Sequence, residues 1–377
     1  MRYPFLDLAK LNEPMLPELE SAALRVIRSG RYVGGEEVEA LNSELATMHD
    51  ARFAIGVSNG LDALRLIIRG YIELGRLKPG DEVIVPGNTY IASLLAVSDN
   101  GLIPVPVDPD ITTMNIDART VEAAVTARTR AIMPVHLYGR TAWSESLRNV
   151  ASEHDLIVIE DCAQAIGAKS ASAGLFGSRK AGALGHAGAL SFYPTKNVGA
   201  LGDAGAVITH DRELAAAVNA LANYGSDRRY HNIYKGLNCR IDPVQAAMIR
   251  VKLHHISREN DGRRERASLY DSNITNPAVI KPAIPDVAGE NVWHQYIIRV
   301  PADKRDSFRS RLQDKGVGTD IHYAVPPHRQ PCYHDMPHGP LPVTERLASE
   351  VVSLPITTAT PLNDIQEIAE IINKTVS

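Results

Sequence analysis

The chain contains few cysteines, and their spacing fits neither a disulfide framework nor a zinc site. Cys162, Cys239 and Cys332 are the three cysteines among 377 residues, and no two of them form a CxxC pair. Small disulfide-braced folds and cysteine zinc sites both need closely spaced pairs. We therefore expect three free thiols and no bound metal.

Long hydrophobic runs are also missing from the sequence. No apolar stretch approaches the roughly 20 residues of a membrane-spanning helix. The first residues, MRYPFLDLAKLNEP, lack the apolar core of a secretory signal peptide. These absences predict a cytoplasmic protein with no membrane partner.

The sequence has no strong excess of one charge sign. Its formal net charge is −4, and acidic and basic residues are interspersed, so nothing marks a surface for nucleic acid. The densest basic run, residues 258–266, is interrupted by Glu259, Asp261 and Glu265. This alternation is typical of a solvated helix face rather than a polyanion site. We expect no nucleic-acid partner.

What the sequence does contain is the pattern of an α/β protein. Between residues 52 and 210, short β-rich runs alternate with helical stretches, which favours a mostly parallel central sheet with helices on its faces. The apolar runs are RFAIGVS, EVIVPG, IPVPVD, RAIMPVH and LIVIEDC, followed by GALSFY and GAVITHD, which frame a loop containing Lys196. Helices are predicted to begin near Leu61 and Tyr90.

A smaller α+β domain is predicted after this unit. A helical period begins at DPVQAAMIRVKLHHI, and its Asp-Pro opening suits a helix start. VWHQYIIRV then reads as a strand, and residues 306–315 as a helix. We place a large domain at residues 1–245 and a small C-terminal domain at residues 246–377. The Gly-, Ala- and Ser-rich stretch 170–188 reads as an irregular connection.

Two polar residues follow the buried run LIVIED. Asp161 ends this run, at the edge of the sheet where open α/β folds place their ligands. Gln164 comes three residues later, so one turn can present an acid and an amide to the same ligand. An aspartate in this position is also a common helix cap, which is the simpler structural explanation.

Lys196 lies in SFYPTKNVGALGDAG, between a strand and a glycine-rich turn. A lone loop lysine is usually exposed on the surface. Here a hydroxyl at Ser191, a proline-stiffened turn and the glycines favour an amine held close to a bound group, as Schiff-base chemistry requires.

A third element, Ser58-Asn59-Gly60, joins a predicted strand to a predicted helix. Backbone N–H groups and the positive end of the helix dipole make this junction suitable for a phosphate, to which Ser191 can add a hydroxyl donor. Asn-Gly is also an ordinary turn sequence. Together, a phosphate seat, a lysine and a carboxylate that can face a pyridine nitrogen are the parts that a pyridoxal phosphate enzyme needs.

Several long motifs, in order, resemble one family over nearly the whole chain. They are PFLDL, GDEVIVPGNTYIAS, IEDCAQAIGA, SFYPTKNVGALGDAGAV, GLNCRIDPVQAA and IHYAVPPH. The chain resembles the sugar aminotransferases of the DegT/DnrJ/EryC1/StrS family, which share the fold of aspartate aminotransferase. The resemblance implies an enzyme that uses pyridoxal 5'-phosphate, passes through pyridoxamine phosphate, and works as a homodimer with shared active sites.

The resemblance also assigns roles to particular residues. It implies that Lys196 carries the cofactor and acts as a base, that Asp161 keeps the ring nitrogen protonated, and that Gln164 contacts the ring oxygen. The remaining implied cofactor contacts are Tyr90 on the ring face, Asn59, Gly60 and Ser191 at the phosphate, and Asn238 donated by the partner subunit.

Three positions near these motifs are less clear. Many relatives have threonine where this chain has Leu61, so one hydroxyl contact to the phosphate is missing here. Arg240 suits either the subunit interface or a structural ion pair. His136, at the end of RAIMPVH, reads as a core histidine rather than a cofactor contact.

The implied reaction moves an amino group from L-glutamate to a nucleotide-linked keto sugar in deoxyamino sugar biosynthesis. NGLDAL and IHYAVPPH look more like enzymes acting at carbon 3, so we expect a dTDP-linked 3-keto-6-deoxyhexose, with a 4-keto sugar as the alternative. His322, Tyr323 and His328 are the predicted substrate residues, although the same motif would also serve as a proline-braced loop.

Other classes explain the residues less well. A sugar dehydratase of this fold that replaces the lysine with histidine does not match Lys196. A cofactor-binding regulator or silent scaffold would not need every chemical group to be present. A Schiff-base aldolase without a cofactor would leave Asp161, Ser191 and the phosphate turn without a shared purpose.

Overall fold

The structure, a computed structural model, describes residues 1–375. Its larger part is an α/β unit that follows the predicted alternation. The strands of this unit are β1 (Phe53–Val57), β2 (Glu82–Pro86), β3 (Ile103–Val107), β4 (Thr129–Ile132), β5 (Ile157–Asp161), β6 (Ala187–Ser191) and β7 (Gly205–Thr209). The helices around it are α1 (Leu8–Asn12), α2 (Leu16–Ser29), α3 (Glu36–Met48), α4 (Gly60–Glu73), α5 (Ile91–Ser98), α6 (Ala118–Ala124), α7 (Glu145–Glu153) and α8 (Arg212–Ala222).

The seven strands form one sheet in the order β1-β7-β6-β5-β4-β2-β3. Pairs β2–β3, β2–β4, β4–β5 and β5–β6 are parallel, whereas β7 is antiparallel to both of its neighbours. The mostly parallel sheet predicted from the sequence is confirmed. Because β7 runs in reverse, the chain between β6 and β7 leaves and re-enters the sheet at the same edge.

Both faces of the sheet are covered by helices, as the apolar strands require. Alternate strand residues face opposite sides: Val207 packs with α4, α5 and α8, while Ala206 and Ile208 pack with α3 and the first half of the long helix α9 (Pro243–Asn273). The helix starts predicted near Leu61 and Tyr90 fall at Gly60 and Ile91, so both are confirmed.

The C-terminal part of the chain has its own small core. Its remaining elements are β10 (Tyr296–Arg299), α10 (Arg305–Asp314), α11 (Pro342–Glu350), β11 (Val351–Leu354) and α12 (Leu362–Lys374), with β10 antiparallel to β11. The last turns of α9 pack into this core with α10 and α12. The domain boundary after residue 245 falls in the first turn of α9 and stays a prediction.

Short irregular segments complete the chain. A hairpin of β8 (Ser226–Arg228) and β9 (His231–Asn232) projects between α8 and α9. Single turns of 3-10 helix occur at Glu13–Met15, Leu137–Gly139, Pro327–Arg329 and Pro331–Tyr333. None of the helices within residues 1–375 has the length and apolar character to cross a membrane. The cytoplasmic location stays a prediction.

The prediction that run 258–266 lies on a solvated helix face is wrong for two of its arginines. Arg263 and Arg266 on α9 are only 2% and 8% exposed. The Arg263 guanidinium donates to the carbonyl oxygens of Trp293 and His294, and Arg266 donates to those of Thr358 and Thr360. Main-chain acceptors from distant segments therefore satisfy these charged groups in the interior. The three cysteines are free thiols, as predicted.

Candidate active site

A cavity of about 440 Å³ opens at the edge of the sheet where β5 and β6 end. Most of the predicted site residues line it, which brings together segments separated by more than 250 positions in the chain. The predicted residues in its wall are Asn59, Gly60, Tyr90, Asp161, Gln164, Ser191, Lys196, His322 and Tyr323. This location agrees with the general rule that open α/β sheets place ligands beyond the carboxyl ends of their strands.

Asp161 ends β5 at the bottom of the cavity and is 6% exposed. Its Oδ2 accepts a hydrogen bond from Ser93 Oγ at 2.8 Å, and its Oδ1 accepts one from the Ala163 N–H at 3.1 Å. Ser93 Oγ also lies 2.9 Å from Thr89 Oγ1. The carboxylate is thus oriented from two sides but forms no ion pair with any of residues 1–375.

Lys196 lies in the connection between β6 and β7, and its side chain is half-buried in the cavity wall. The turn is fixed by its own backbone, since Lys196 N–H donates to the Tyr193 carbonyl at 2.8 Å. Burial lowers the pKa of Lys196 to about 8, against the opposing field of Asp161. An amine with this pKa is partly uncharged near neutral pH, which nucleophilic and base chemistry both require.

The N-terminus of α4 forms a close cradle with the ends of β6 and β7. A Cβ placed on Gly60 would lie 2.6 Å from Ser191 Cβ, and one placed on Gly205 would lie 2.4 Å from Asn59 O. Only glycine fits at these two positions, so the backbone N–H groups at the helix start can approach a ligand closely. With the helix dipole and the Ser191 hydroxyl, the cradle suits an anion.

The Asn59 side chain bonds to the start of α4 instead of pointing freely into the anion cradle. Its Oδ1 accepts from the Asp62 N–H at 2.8 Å, and its Nδ2 donates to Asp62 Oδ2 at 2.8 Å. Asn59 is therefore the N-cap of α4. It shapes the cradle with its side chain and contributes its backbone to the wall. Leu61 also lines the cavity.

Gln164 joins two tyrosines at one side of the cavity. Its Oε1 accepts from the Tyr138 N–H, and its Nε2 donates to the Tyr323 hydroxyl at 3.0 Å. The Tyr323 ring lies 5.3 Å from the ring of Tyr90, and burial raises the pKa of the Tyr323 hydroxyl. Two aromatic rings therefore lie side by side in the cavity wall, with Tyr323 held by the Gln164 amide.

His322 lines the cavity, and its Nε2 lies 3.8 Å from Asp320 Oδ2. Its Nδ1 lies 2.8 Å from the buried Ser353 Oγ, and its carbonyl accepts from the Tyr138 hydroxyl. Burial, which outweighs the opposing field of Asp320, lowers the pKa of His322 to about 4. The imidazole is therefore uncharged near neutral pH and offers hydrogen bonds rather than charge.

The sequence profile of the DegT/DnrJ/EryC1/StrS aminotransferase family matches residues 16–373. The chain belongs to this family. It is accordingly an aminotransferase, and the cavity containing Lys196 and Asp161 is its candidate active site.

Individual members of the aminotransferase family are similar to the chain over nearly its whole length. It is 45% identical to the dTDP-3-amino-3,6-dideoxy-alpha-D-galactopyranose transaminase of Aneurinibacillus thermoaerophilus, covering 98% of this chain and 99% of that protein. It is 44% identical to the dTDP-3-amino-3,4,6-trideoxy-alpha-D-glucose transaminase of Streptomyces venezuelae, covering 94% and 91%. The crystal structure of S. venezuelae DesV in complex with a ketimine intermediate superposes with a TM-score of 0.92 at 42% identity, covering 100% of both chains.

Two residues predicted for the aminotransferase site lie outside this cavity. Asn238 is exposed beyond the β8–β9 hairpin and does not line the cavity of its own chain. His328 is buried, with its Nε2 3.3 Å from Glu345 Oε1. Their roles at the cofactor and the substrate stay predictions.

The two residues whose roles were left open by the sequence have clear partners. Arg240 donates to Asn223 Oδ1 at 2.7 Å, with its guanidinium carbon 5.5 Å from the Tyr224 ring centroid. His136 is fully buried, and its Nε2 lies 2.8 Å from Glu160 Oε2. The interpretation of His136 as a core histidine is confirmed.

Sequence reasoning missed several polar residues of the candidate active site, including Thr89, Ser93 and His294. Thr89 and Ser93 support Asp161, and their spacing of four residues in GNTYIAS, at a helix start, is a signal that would have found them. His294 also lines the cavity. It lies in the strand-like run VWHQYIIRV, where nothing in the pattern separates a site residue from a core residue.

Proposed function

We propose that this aminotransferase moves an amino group from L-glutamate to a dTDP-linked 3-keto-6-deoxyhexose, using pyridoxal phosphate held by Lys196. The observation that carries the proposal is that a partly uncharged lysine, a buried carboxylate and a glycine-lined anion cradle share one cavity. The names of the two relatives described above support a dTDP sugar aminated at carbon 3.

The residues present fit pyridoxal phosphate. Asp161 is a buried carboxylate without a cationic partner among residues 1–375, and a buried charge of this kind is costly unless an opposite charge faces it. A protonated pyridine nitrogen would supply that charge. Gly60, Gly205 and Ser191 form the anion cradle, and Lys196 supplies the amine. When bound, the cofactor supplies an aldehyde that can take up an amine and a ring that accepts electron density.

The chain's own residues then have distinct tasks. The carboxylate of Asp161 would hold a proton on the ring nitrogen, and the hydrogen bonds from Ser93 and the Ala163 N–H fix the orientation of that carboxylate. The Lys196 amine, when free, takes a proton from the α-carbon of the amino donor and later returns it. The pKa of about 8 allows the amine to do both near neutral pH.

The part of the cavity lined by His322 and Tyr323 suits a sugar. His322 and Tyr323 are uncharged groups on a segment held by Ser353, Tyr138 and Gln164. Neutral donors and acceptors beside an aromatic ring are what a polyhydroxy ring requires for recognition. We assign His322 and Tyr323 to the sugar and keep a 4-keto sugar as the alternative substrate.

A homodimer is part of the proposal. By the family resemblance, Asn238 would contribute to the partner's site. It lies in an exposed segment with several exposed large apolar side chains, including Tyr230 at 87%, Ile233 at 47% and Leu237 at 48%. Exposed apolar groups grouped on one projecting segment are typical of a protein interface.

The test is the visible absorption of the purified protein with added pyridoxal phosphate. Wild type should form a lysine-dependent band that L-glutamate bleaches and a dTDP-linked 3-keto sugar restores. Lys196→Met should form no such band, whereas Lys252→Met should behave as wild type. Lys252 is the matched control because it is also buried, with a pKa lowered to about 8, but lies on α9 outside the cavity.

Each other outcome points to a different function. Restoration by a 4-keto sugar alone would keep the class of reaction and change the position. A band that glutamate does not bleach would favour a dehydratase or a cofactor-binding regulator. No band in wild type would overturn the proposal.

A further inference from the structure

His294 stands in the wall of the active-site cavity and is 7% exposed. It precedes β10 and carries none of the roles assigned above. Its Nδ1 lies 2.9 Å from Oδ1 of Asn197, the residue that follows Lys196 in the chain. Which ring nitrogen of this imidazole carries the hydrogen is determined by hydrogen bonds through two side-chain amides, Asn197 and Asn260, to two main-chain carbonyls.

The first carbonyl belongs to Ile166. Asn260 Nδ2 donates to Ile166 O at 3.1 Å, and a carbonyl only accepts, so the nitrogen of Asn260 must be on that side. Oδ1 of Asn260 then faces Asn197 and accepts from Asn197 Nδ2 at 3.0 Å. The second carbonyl, Val292 O, accepts from the same Asn197 Nδ2 at 3.2 Å.

Because Asn197 Nδ2 points to these acceptors, Asn197 Oδ1 points toward His294, and an amide oxygen can only accept a hydrogen bond. His294 Nδ1 must therefore carry the hydrogen. The two carbonyls therefore determine the orientation of both amides and the tautomer of the ring. Distances between side chains alone would not determine either of them. In a neutral imidazole with its hydrogen on Nδ1, Nε2 has a free lone pair and no hydrogen.

The ring stays neutral in this position. Burial lowers the pKa of His294 well below its ordinary value, and the fields of Lys196, Arg263 and His322 act in the same direction. His294 Nε2 makes no hydrogen bond to any of residues 1–375, and it is not among the fully enclosed atoms that lack a partner. The cavity wall therefore presents an acceptor that only a hydrogen-bond donor can satisfy.

We propose that His294 Nε2 accepts a hydrogen bond from a hydroxyl group of the bound sugar, with Asn197 and Asn260 holding the ring in the required tautomer. The inference rests on the proposed function. The carboxylates of L-glutamate only accept hydrogen bonds, and its amino group is occupied at the reacting centre. Of the two substrates, the sugar carries the free hydroxyl donors.

The first test is nuclear magnetic resonance of the cofactor-loaded enzyme labelled with ¹⁵N-histidine, using dTDP-glucose and dTDP as probes. The His294 signals are assigned by their loss in His294→Asn. We expect one ring hydrogen, on Nδ1, and no titration between about pH 6 and 9. The Nε2 signal should move with dTDP-glucose and stay in place with dTDP. A hydrogen on Nε2, or equal shifts with the two probes, would overturn the inference.

The second test is calorimetric binding of the same two probes. Asn at position 294 can still donate to Asn197 from the place of Nδ1 but has no atom at Nε2. His294→Asn should therefore weaken dTDP-glucose binding about fivefold to tenfold, the fold-change of one net hydrogen bond, and leave dTDP binding unchanged. His294→Gln, whose amide oxygen reaches the place of Nε2, should recover part of the loss.

The outcomes separate this inference from the proposed function. If wild type binds both probes and His294→Asn binds them equally well, the sugar contact is wrong while the proposed function stands. If wild type binds neither probe, the assignment of a dTDP sugar fails, and the inference fails with it.

Discussion

At the scale of single residues, Lys196 links the chemistry of the site to the stability of the fold. In the folded chain its pKa is about 8, below the ordinary value of 10.5. Between these two values the unfolded chain binds more protons than the folded one, so stability rises with pH across this window. Below pH 8 both states are protonated, and the folded state carries the full cost of the buried charge.

We therefore expect the cofactor-free Lys196→Met protein to be more stable than wild type by about 1–3 kcal/mol at pH 7. The difference should shrink as the pH rises from 8 toward 10.5. Urea unfolding at several pH values measures it, with Lys374→Met, at an exposed position, as the control. A difference that does not change with pH would show that the lysine is not desolvated.

We expect Ser93 to support catalysis through Asp161 rather than through a contact with the proposed substrates. Its hydroxyl donates to the Asp161 carboxylate at 2.8 Å, and hydrogen bonds to charged groups contribute about 1.5–3 kcal/mol. Ser93→Ala should lower kcat/KM by about tenfold or more in steady-state assays. Ser98→Ala is the control, since that serine is on the same helix α5 but pairs with Tyr333. Equal activities of the two variants would remove Ser93 from the supporting role.

The predictability of individual residues depends on what surrounds them in the sequence. Asp161 and Lys196 are predicted as site residues because each lies beside a strand and small or glycine residues in a recognisable order, and the structure places both in one cavity. The capping role of Asn59 and the burial of Arg263 depend on acceptors from other parts of the chain. No local pattern records such acceptors, so the structure was needed to see them.

At the scale of secondary-structure elements, the packing of α9 depends on a buried arginine. Arg263 lies on it, fully enclosed, and donates to two carbonyls of the segment that precedes β10. Arg263→Met removes both hydrogen bonds and leaves the two carbonyls without a donor. We expect a loss of about 2–4 kcal/mol in the free energy of unfolding.

The matched control for this prediction is Arg258→Met on the same helix. The Arg258 side chain is 64% exposed, and its one ion pair within residues 1–375 is with the neighbouring Glu259, so the change should stay within about 0.5 kcal/mol. Chemical denaturation of the two variants gives the comparison. A small loss in Arg263→Met would mean that water replaces the guanidinium.

The sequence predicts those elements that have a clear apolar pattern. The strands β1 to β7 were visible because each is an apolar run bounded by turn residues. The direction of β7 was not, since a strand buried on both faces has the same composition whichever way it runs. The β8–β9 hairpin carries exposed residues and no alternation, so the sequence offers no signal for it.

At the scale of the whole molecule, the proposed dimer can be tested by mixing two defective proteins. If Asn238 serves the partner's site, a dimer of Lys196→Ala and Asn238→Ala subunits contains one intact site. Each single variant should have low activity, because each of its sites lacks one residue. Random exchange after co-expression or mixed refolding should restore about a quarter of the wild-type activity per total site.

The result depends on which chain supplies Asn238. If the residue served its own chain, every site in the mixed dimer would lack one group, and mixing would restore nothing. The control pairs Lys196→Ala with Asp161→Ala, since both residues line the same cavity of one chain. That mixture should restore nothing, because every site in the mixed dimer still lacks either the lysine or the aspartate.

The reversal of β7 has a kinetic consequence. In an all-parallel sheet, the chain leaving β6 would have to cross a whole layer before returning. Here Ser191 and Gly205 are paired neighbours, so both ends of the segment carrying Lys196 are anchored side by side. If Lys196 carries the cofactor as proposed, its amine detaches and returns in every turnover, and this anchoring would keep it at high effective concentration beside the reacting centre. The direction of β7 would thus keep the Lys196 amine close to the reacting centre between turnovers.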